Sequence, residues 1–134
     1  MANKNTHLVR SEAVVDINAA AATAAFAMDA PRAGYLVLNE CWGRAEEATG
    51  TQTGTQGVVS IEVGGTEVAS FTCDISQAIG HTQTFTPDGT NATAANPVYP
   101  VADGDEITCV TKTQAAGGTV TGTYRIYLSF DYGA

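Results

Sequence analysis

The sequence predicts an all-β chain folded as a two-sheet antiparallel β-sandwich, jelly-roll-like, with about eight strands and a short N-terminal arm. Three observations predict it. Apolar residues recur at every second position in several runs, the spacing of a strand with one face inside and one outside. Glycine- and aspartate-rich turn signals separate those runs. The whole chain has 134 residues, a length that fits one domain spanning residues 1–134.

In chain order, residues 1–8 lack apolar periodicity and read as a flexible arm, and Leu8–Ile17 reads as the first strand. Asn18–Ala30 is ambiguous, because alanine is the best helix former. Phe26 and Met28 share a parity that Ala22 and Ala24 continue, so Ala22–Ala30 is read as a strand. Pro31 bars a helix from running on, and Gly34–Trp42, with Tyr35, Val37 and Leu38, reads as one further strand. Ala45–Gln56 holds Glu46-Glu47 and then a Thr-Gly-Thr-Gln patch of low complexity, and reads as a loop. Val59, Ile61 and Val63 alternate with Ser60 and Glu62. Gly64-Gly65 supplies the two positive-φ positions of a type I′ turn, and Val68–Cys73 returns as the partner. Ser76–Pro97 reads as a second loop. Asp103-Gly104-Asp105 is turn chemistry leading into Ile107–Thr113, and Gln114–Gly118 suggests a second hairpin into the final strand. In that strand Val120, Tyr124, Ile126, Leu128 and Phe130 share the inward parity, while Arg125, Tyr127 and Ser129 point outward.

Fourteen acids against six bases leave a net charge of −8, which repels phosphate backbones and argues against nucleic acid as a partner. No apolar window of about 18 residues is present to span a membrane. Met1–Arg10 is polar, without the apolar core of a signal peptide, so synthesis in a cytosol is expected. Cys41, Cys73 and Cys109 are odd in number and widely spaced, which predicts buried reduced thiols rather than a disulfide framework.

No reaction chemistry stands out, and the expectation is a protein that is not an enzyme and has no cofactor and no metal site. His7 and His81 lie apart, and Asp103-Gly104-Asp105-Glu106 lacks the spacing of a calcium loop. Catalysis by Cys73 or Cys109 with His81 would need strand thiols to be accessible, and no Gly-x-Ser-x-Gly elbow exists. Adjacent carboxylates such as Glu46-Glu47 or Asp105-Glu106 point to opposite strand faces and make no glycosidase pair. Trp42, Tyr99, Tyr127 and Tyr132 are the aromatic candidates for contact with a partner, with core packing as the ordinary alternative. Lys4 and Arg10 make the arm mildly basic on an acidic body, so it could order against a partner. The candidate contact residues are therefore Lys4, His7, Arg10, Trp42 and Tyr99.

An Ala/Thr-rich strand leads into Asp29-Ala30-Pro31-Arg32-Ala33-Gly34-Tyr35-Leu36-Val37, then the pair Val58–Val63 and Thr66–Cys73. Tyr99-Pro100-Val101-Ala102-Asp103-Gly104-Asp105-Glu106-Ile107 and Gly117-Gly118-Thr119-Val120-Thr121-Gly122 follow. Over residues 8–132 this order resembles the small jelly-roll capsid decoration (cement) proteins of tailed bacteriophages. The resemblance implies a virion protein made in the host cytoplasm that binds the major capsid protein on the outer surface and stabilises the mature shell. It also implies a homo-oligomer, with a trimer favoured over a dimer. The alternative is a carbohydrate- or receptor-binding sandwich with Trp42, Tyr99 and Asn or Asp residues in one shallow site.

Overall fold

The C-terminal alternation sets the architecture. In the computed structural model, which describes residues 6–133, the last strand is β11 (Thr123–Asp131). Its even residues Tyr124, Ile126, Leu128 and Phe130 are fully buried. One side of β11 pairs along its length with β1 (Thr6–Asp16). Its other side pairs first with β4 (Trp42–Ala45) and then with β3 (Gly34–Val37). β7 (Thr82–Thr84) adds to β4, and β9 (Val98–Val101) adds to β3, completing six strands. The facing sheet runs β2 (Thr23–Asp29), β10 (Glu106–Thr113), β5 (Val58–Val63), β6 (Thr66–Thr72) and β8 (Thr86–Pro87). Every pairing is antiparallel.

Eleven strands replace the smaller number expected because one strand is broken, its neighbouring position is filled by two segments, and the short β8 is added to the facing sheet. β3 and β4 are halves of one strand split by a 3-10 turn at Leu38–Glu40, and β7 and β9, separated in the chain by a segment that carries β8 to the other sheet, together take the place of its neighbour. Counted that way, one sheet has the order first, eighth, third, sixth and the other second, seventh, fourth, fifth, with β8 appended. That interleaving is the jelly roll, two Greek keys wrapped into facing sheets. The break buries both Leu38 and Cys41, which a regular strand running Gly34–Trp42 could not place on one side. It also removes a ladder partner from β11. The Ser129 N–H donates instead to Cys41 Sγ at 3.3 Å, and the same thiol donates to the Val37 carbonyl at 3.3 Å. Sulfur is a weak acceptor and S–H a weak donor, so one side chain closes both gaps.

The Gly64-Gly65 hairpin forms as expected, with φ of 58° and 82° and Val63 facing Thr66. The ambiguous alanine segment is strand β2, and Phe26 and Met28 both pack on the core. Three expectations are corrected. Gln114–Gly118 does not close a hairpin, because β10 and β11 lie in different sheets. This segment arches between the layers, tied by Ala115 N to the Ile17 carbonyl at 2.8 Å and by a bridge from Ala116 to Thr55. Ser76–Pro97 contains the short strands β7 and β8. The end of the expected arm, Thr6 to Leu8, already pairs with Asp131 to Ser129.

The Thr/Gly patch is ordered by the same arch. Gly50 N bonds the Thr121 carbonyl at 2.9 Å and Gln52 N the Thr119 carbonyl at 3.1 Å. A Cβ at Gly50 would lie 2.1 Å from the Thr119 carbonyl oxygen, so only glycine permits this approach. The accessible surface is 6487 Å², against about 6,600 Å² expected for a single folded domain of this mass.

Candidate binding face

The outward residues of the six-stranded sheet form cross-strand rows. Arg10 of β1 lies opposite Tyr127 of β11, Tyr127 opposite Trp42 of β4, and Trp42 opposite Thr84 of β7. The Trp42 and Tyr127 rings stack with centroids 4.0 Å apart and planes 6° apart. The next row holds Val14, Arg125, Arg44 and Thr82. Glu46 holds that row's two cations, at 3.7 Å from Arg44 and 3.4 Å from Arg125. Toward the other end, Leu8 (58% exposed) and Tyr35 (50% exposed) add apolar surface. Three of the six bases of this acidic chain thus sit on one sheet face.

β1 forms the edge of that sheet, and among the described residues it pairs only with β11. A bulge between Arg10 and Val14 breaks its register, and two side chains hold the bulge closed. Ser11 Oγ accepts the Ile126 N–H at 3.0 Å, taking the place of a ladder carbonyl. The Arg125 guanidinium donates to the carbonyls of Ser11 and Glu12 at 3.1 and 2.6 Å. Bulges twist an edge and discourage unselective sheet extension. The outward parity of Arg125 was readable in the sequence, whereas its role depends on a bulge that has no sequence signature.

Arg10 and Trp42, two of the candidate contact residues, therefore share a row, joined through Tyr127. His7 points to the other side of β1, edge-on to Tyr132 at 5.2 Å, and Arg32 lies over that same Tyr132 ring at 4.7 Å. Tyr99 faces Leu36 and packs half-buried against the core, away from Trp42. Lys4 lies outside the described residues. The shallow site of the carbohydrate alternative, built from Trp42 and Tyr99 together, is not assembled.

Cys41, Cys73, His81, Glu47 and Asp105 find partners within the fold. All three cysteines are free and buried. Burial pushes the Cys41 thiol up to about 12 and also raises Cys109 and Cys73, whereas nucleophilic attack requires the thiolate. His81 Nε2 meets Asp74 Oδ2 at 2.9 Å, while Cys73 Sγ meets Tyr124 OH at 3.2 Å and Gln52 Nε2 at 3.3 Å. Glu47 accepts the Gly122 N–H, and Asp105 accepts the Ala102 N–H within its turn. Among the described residues no three His, Cys, Asp or Glu side chains group as metal ligands, and no helix is long and apolar enough to cross a membrane.

Asp88 organises the loop after β8. Its Oδ1 accepts the N–H groups of Asn91 and Ala92 at 2.9 and 3.0 Å, and Oδ2 accepts the Asn91 amide at 2.9 Å. Desolvation raises its pKa, but these bonds to the ionised form together outweigh that and leave the carboxyl below its ordinary value. A depressed carboxyl stabilises the fold above its unfolded-state pKa, and the contribution disappears as pH falls through the folded one. Asp88→Ala should therefore cost about 0.5–1 kcal/mol near pH 6, the low end for a capping carboxylate because the group is partly exposed. The melting temperatures of the two proteins should converge as the pH drops below the ordinary aspartate value of about 3.9.

No family model matches the chain, and no curated protein gives a significant match.

Proposed function

We propose that the protein is a capsid decoration protein of a tailed bacteriophage, a binding protein without catalytic activity that joins the outer surface of the mature shell. The single observation that supports this most is the open edge at β1. Eleven residues of strand lie at the border of the sheet, with Leu8 58% exposed and Arg10 exposed beside it. An edge strand offers unpaired backbone groups, and strand addition supplies affinity while alternate side chains supply selectivity. The order of strands, the fully buried thiols and the loop roles of the acidic residues agree with a body built to bind. The major capsid protein is the proposed partner, and at a net charge of −8 nucleic acid is not.

The mechanism is mechanical. Binding only the expanded lattice stabilises that lattice by mass action. A homo-oligomer, with a trimer favoured over a dimer, touches several shell subunits at once, and its first contact raises the effective concentration of the others. The test is co-sedimentation of the purified protein with expanded and unexpanded shells of a tailed phage that encodes it. Saturable binding to expanded shells with a raised shell melting temperature is expected; failure to bind either form contradicts the proposal.

A further inference from the structure

We propose that the basin beside Trp42, walled by Thr82 and Thr84, binds the pyranose ring of a neutral saccharide. The basin, about 400 Å³ in volume, is lined by these three residues and falls within the range of small-ligand clefts, about 300–1,000 Å³. It lies at the β7 edge of the sheet, opposite the β1 edge, so shell binding through β1 leaves it open.

The geometry follows from the cross-strand row. Tyr127 covers one face of the indole, stacked at 4.0 Å. The other face looks across β7, where the residue opposite Trp42 is Thr84. Threonine is too short to cover an indole, so that face stays open beside the basin. Tyr127 behind the ring fixes its orientation, which lowers the ordering cost of stacking a ligand on it.

Three features select a sugar. The apolar C–H face of a pyranose carries partial positive charge and suits the negative face of an aromatic ring. The hydroxyls of Thr82 and Thr84 make no side-chain hydrogen bond among the described residues, and both side chains are exposed. A hydroxyl both donates and accepts, as the rim of a sugar requires. Arg44 stands in the same row as Thr82, but Glu46 lies 3.7 Å from it. That carboxylate opposes an anionic ligand and leaves the guanidinium edge for neutral hydroxyls. An apolar peptide finds no enclosed groove here, because the walls beyond the ring are threonines.

Trp42 is the only tryptophan, so its fluorescence reports on the basin alone. The experiment titrates the full chain with methyl glucoside, galactoside and mannoside, N-acetylglucosamine, maltotriose and chitotriose. At least one should give a saturable shift in emission, with a dissociation constant of about millimolar, as suits an open site. Saturation-transfer NMR then compares variants whose circular dichroism matches the parent. Trp42→Ala should weaken binding about tenfold or more, and Thr84→Val, which keeps the shape and removes the hydroxyl, about threefold. The proposal is overturned if no sugar gives a saturable signal, if a proline-rich peptide does and no sugar does, or if Trp42→Ala binds as well as the parent. None of these outcomes touches binding to shells through β1.

Discussion

Tyr124→Ala should destabilise the fold by about 3–5 kcal/mol in urea denaturation, the range for deleting a buried aromatic ring. Tyr124, near the start of β11, is fully buried between the sheets. Its ring meets Phe71 edge-on at 5.0 Å, and Phe71 meets Phe85 edge-on at 4.8 Å. The first contact joins the two sheets, since Tyr124 belongs to β11 and Phe71 to β6. Gly43 completes the fit, because a Cβ there would come within 3.0 Å of the Phe71 ring. A domain of this size has about 5–15 kcal/mol in total, so the loss consumes a large share of it. Tyr124→Phe separates ring from hydroxyl. The hydroxyl donates to Gln83 Oε1 at 2.8 Å, but that oxygen keeps the Asp74 N–H, and the Cys73 thiol keeps Gln52 and the Asp74 carbonyl. The phenylalanine variant should therefore lose only about 1 kcal/mol. Equal losses in the two variants would mean that the hydroxyl, and not the ring, holds the sheets together.

Arg125→Met should release β1 without unfolding the rest. Methionine keeps much of the aliphatic stem of arginine and removes the two bonds to the carbonyls of Ser11 and Glu12 as well as the contact with Glu46. Hydrogen bonds from a charged donor contribute about 1.5–3 kcal/mol when partly buried, and the Arg125 side chain is 18% exposed. Hydrogen exchange should accelerate by about thirtyfold in the β1 amides bonded to β11, the factor for a local opening made about 2 kcal/mol easier. Exchange in β5 and β10 should stay as in the parent, because their pairing does not involve β1. Uniform acceleration across both sheets would show that β1 is integral to the global unit and not a separable edge.

The sequence carries the fold class openly wherever one face of a strand is buried and the other wet. Tyr124, Ile126, Leu128 and Phe130 are all fully buried, as are Val59 and Ile61 in β5, although Ser129 and Ser60 on the alternate parity are covered too. What it hides is long-range. Gly117-Gly118 satisfies hairpin chemistry locally, yet the strands it joins are claimed by different sheets, and no local signal distinguishes an arch from a hairpin. The break at Leu38–Glu40 is equally silent, because Leu38 and Cys41 fit an unbroken strand in composition, and its consequence, the Ser129 N–H turned to the Cys41 thiol, arises only from long-range pairing. Strand parity places Trp42 and Tyr127 on their faces, but their stacking needed the register between β4 and β11. Tyr99 illustrates the converse: the sequence leaves it open between partner contact and core packing, and its pairing opposite Leu36 sets it half-buried against the core.

The most direct test of binding through the β1 edge is hydrogen exchange of the protein free and bound to expanded shells. Bound protein should gain protection at the β1 amides that point away from β11, with exchange over Thr66–Thr72 of the opposite sheet unchanged. Protection of that opposite sheet with β1 exchanging as in the free protein would contradict the assignment of the binding edge.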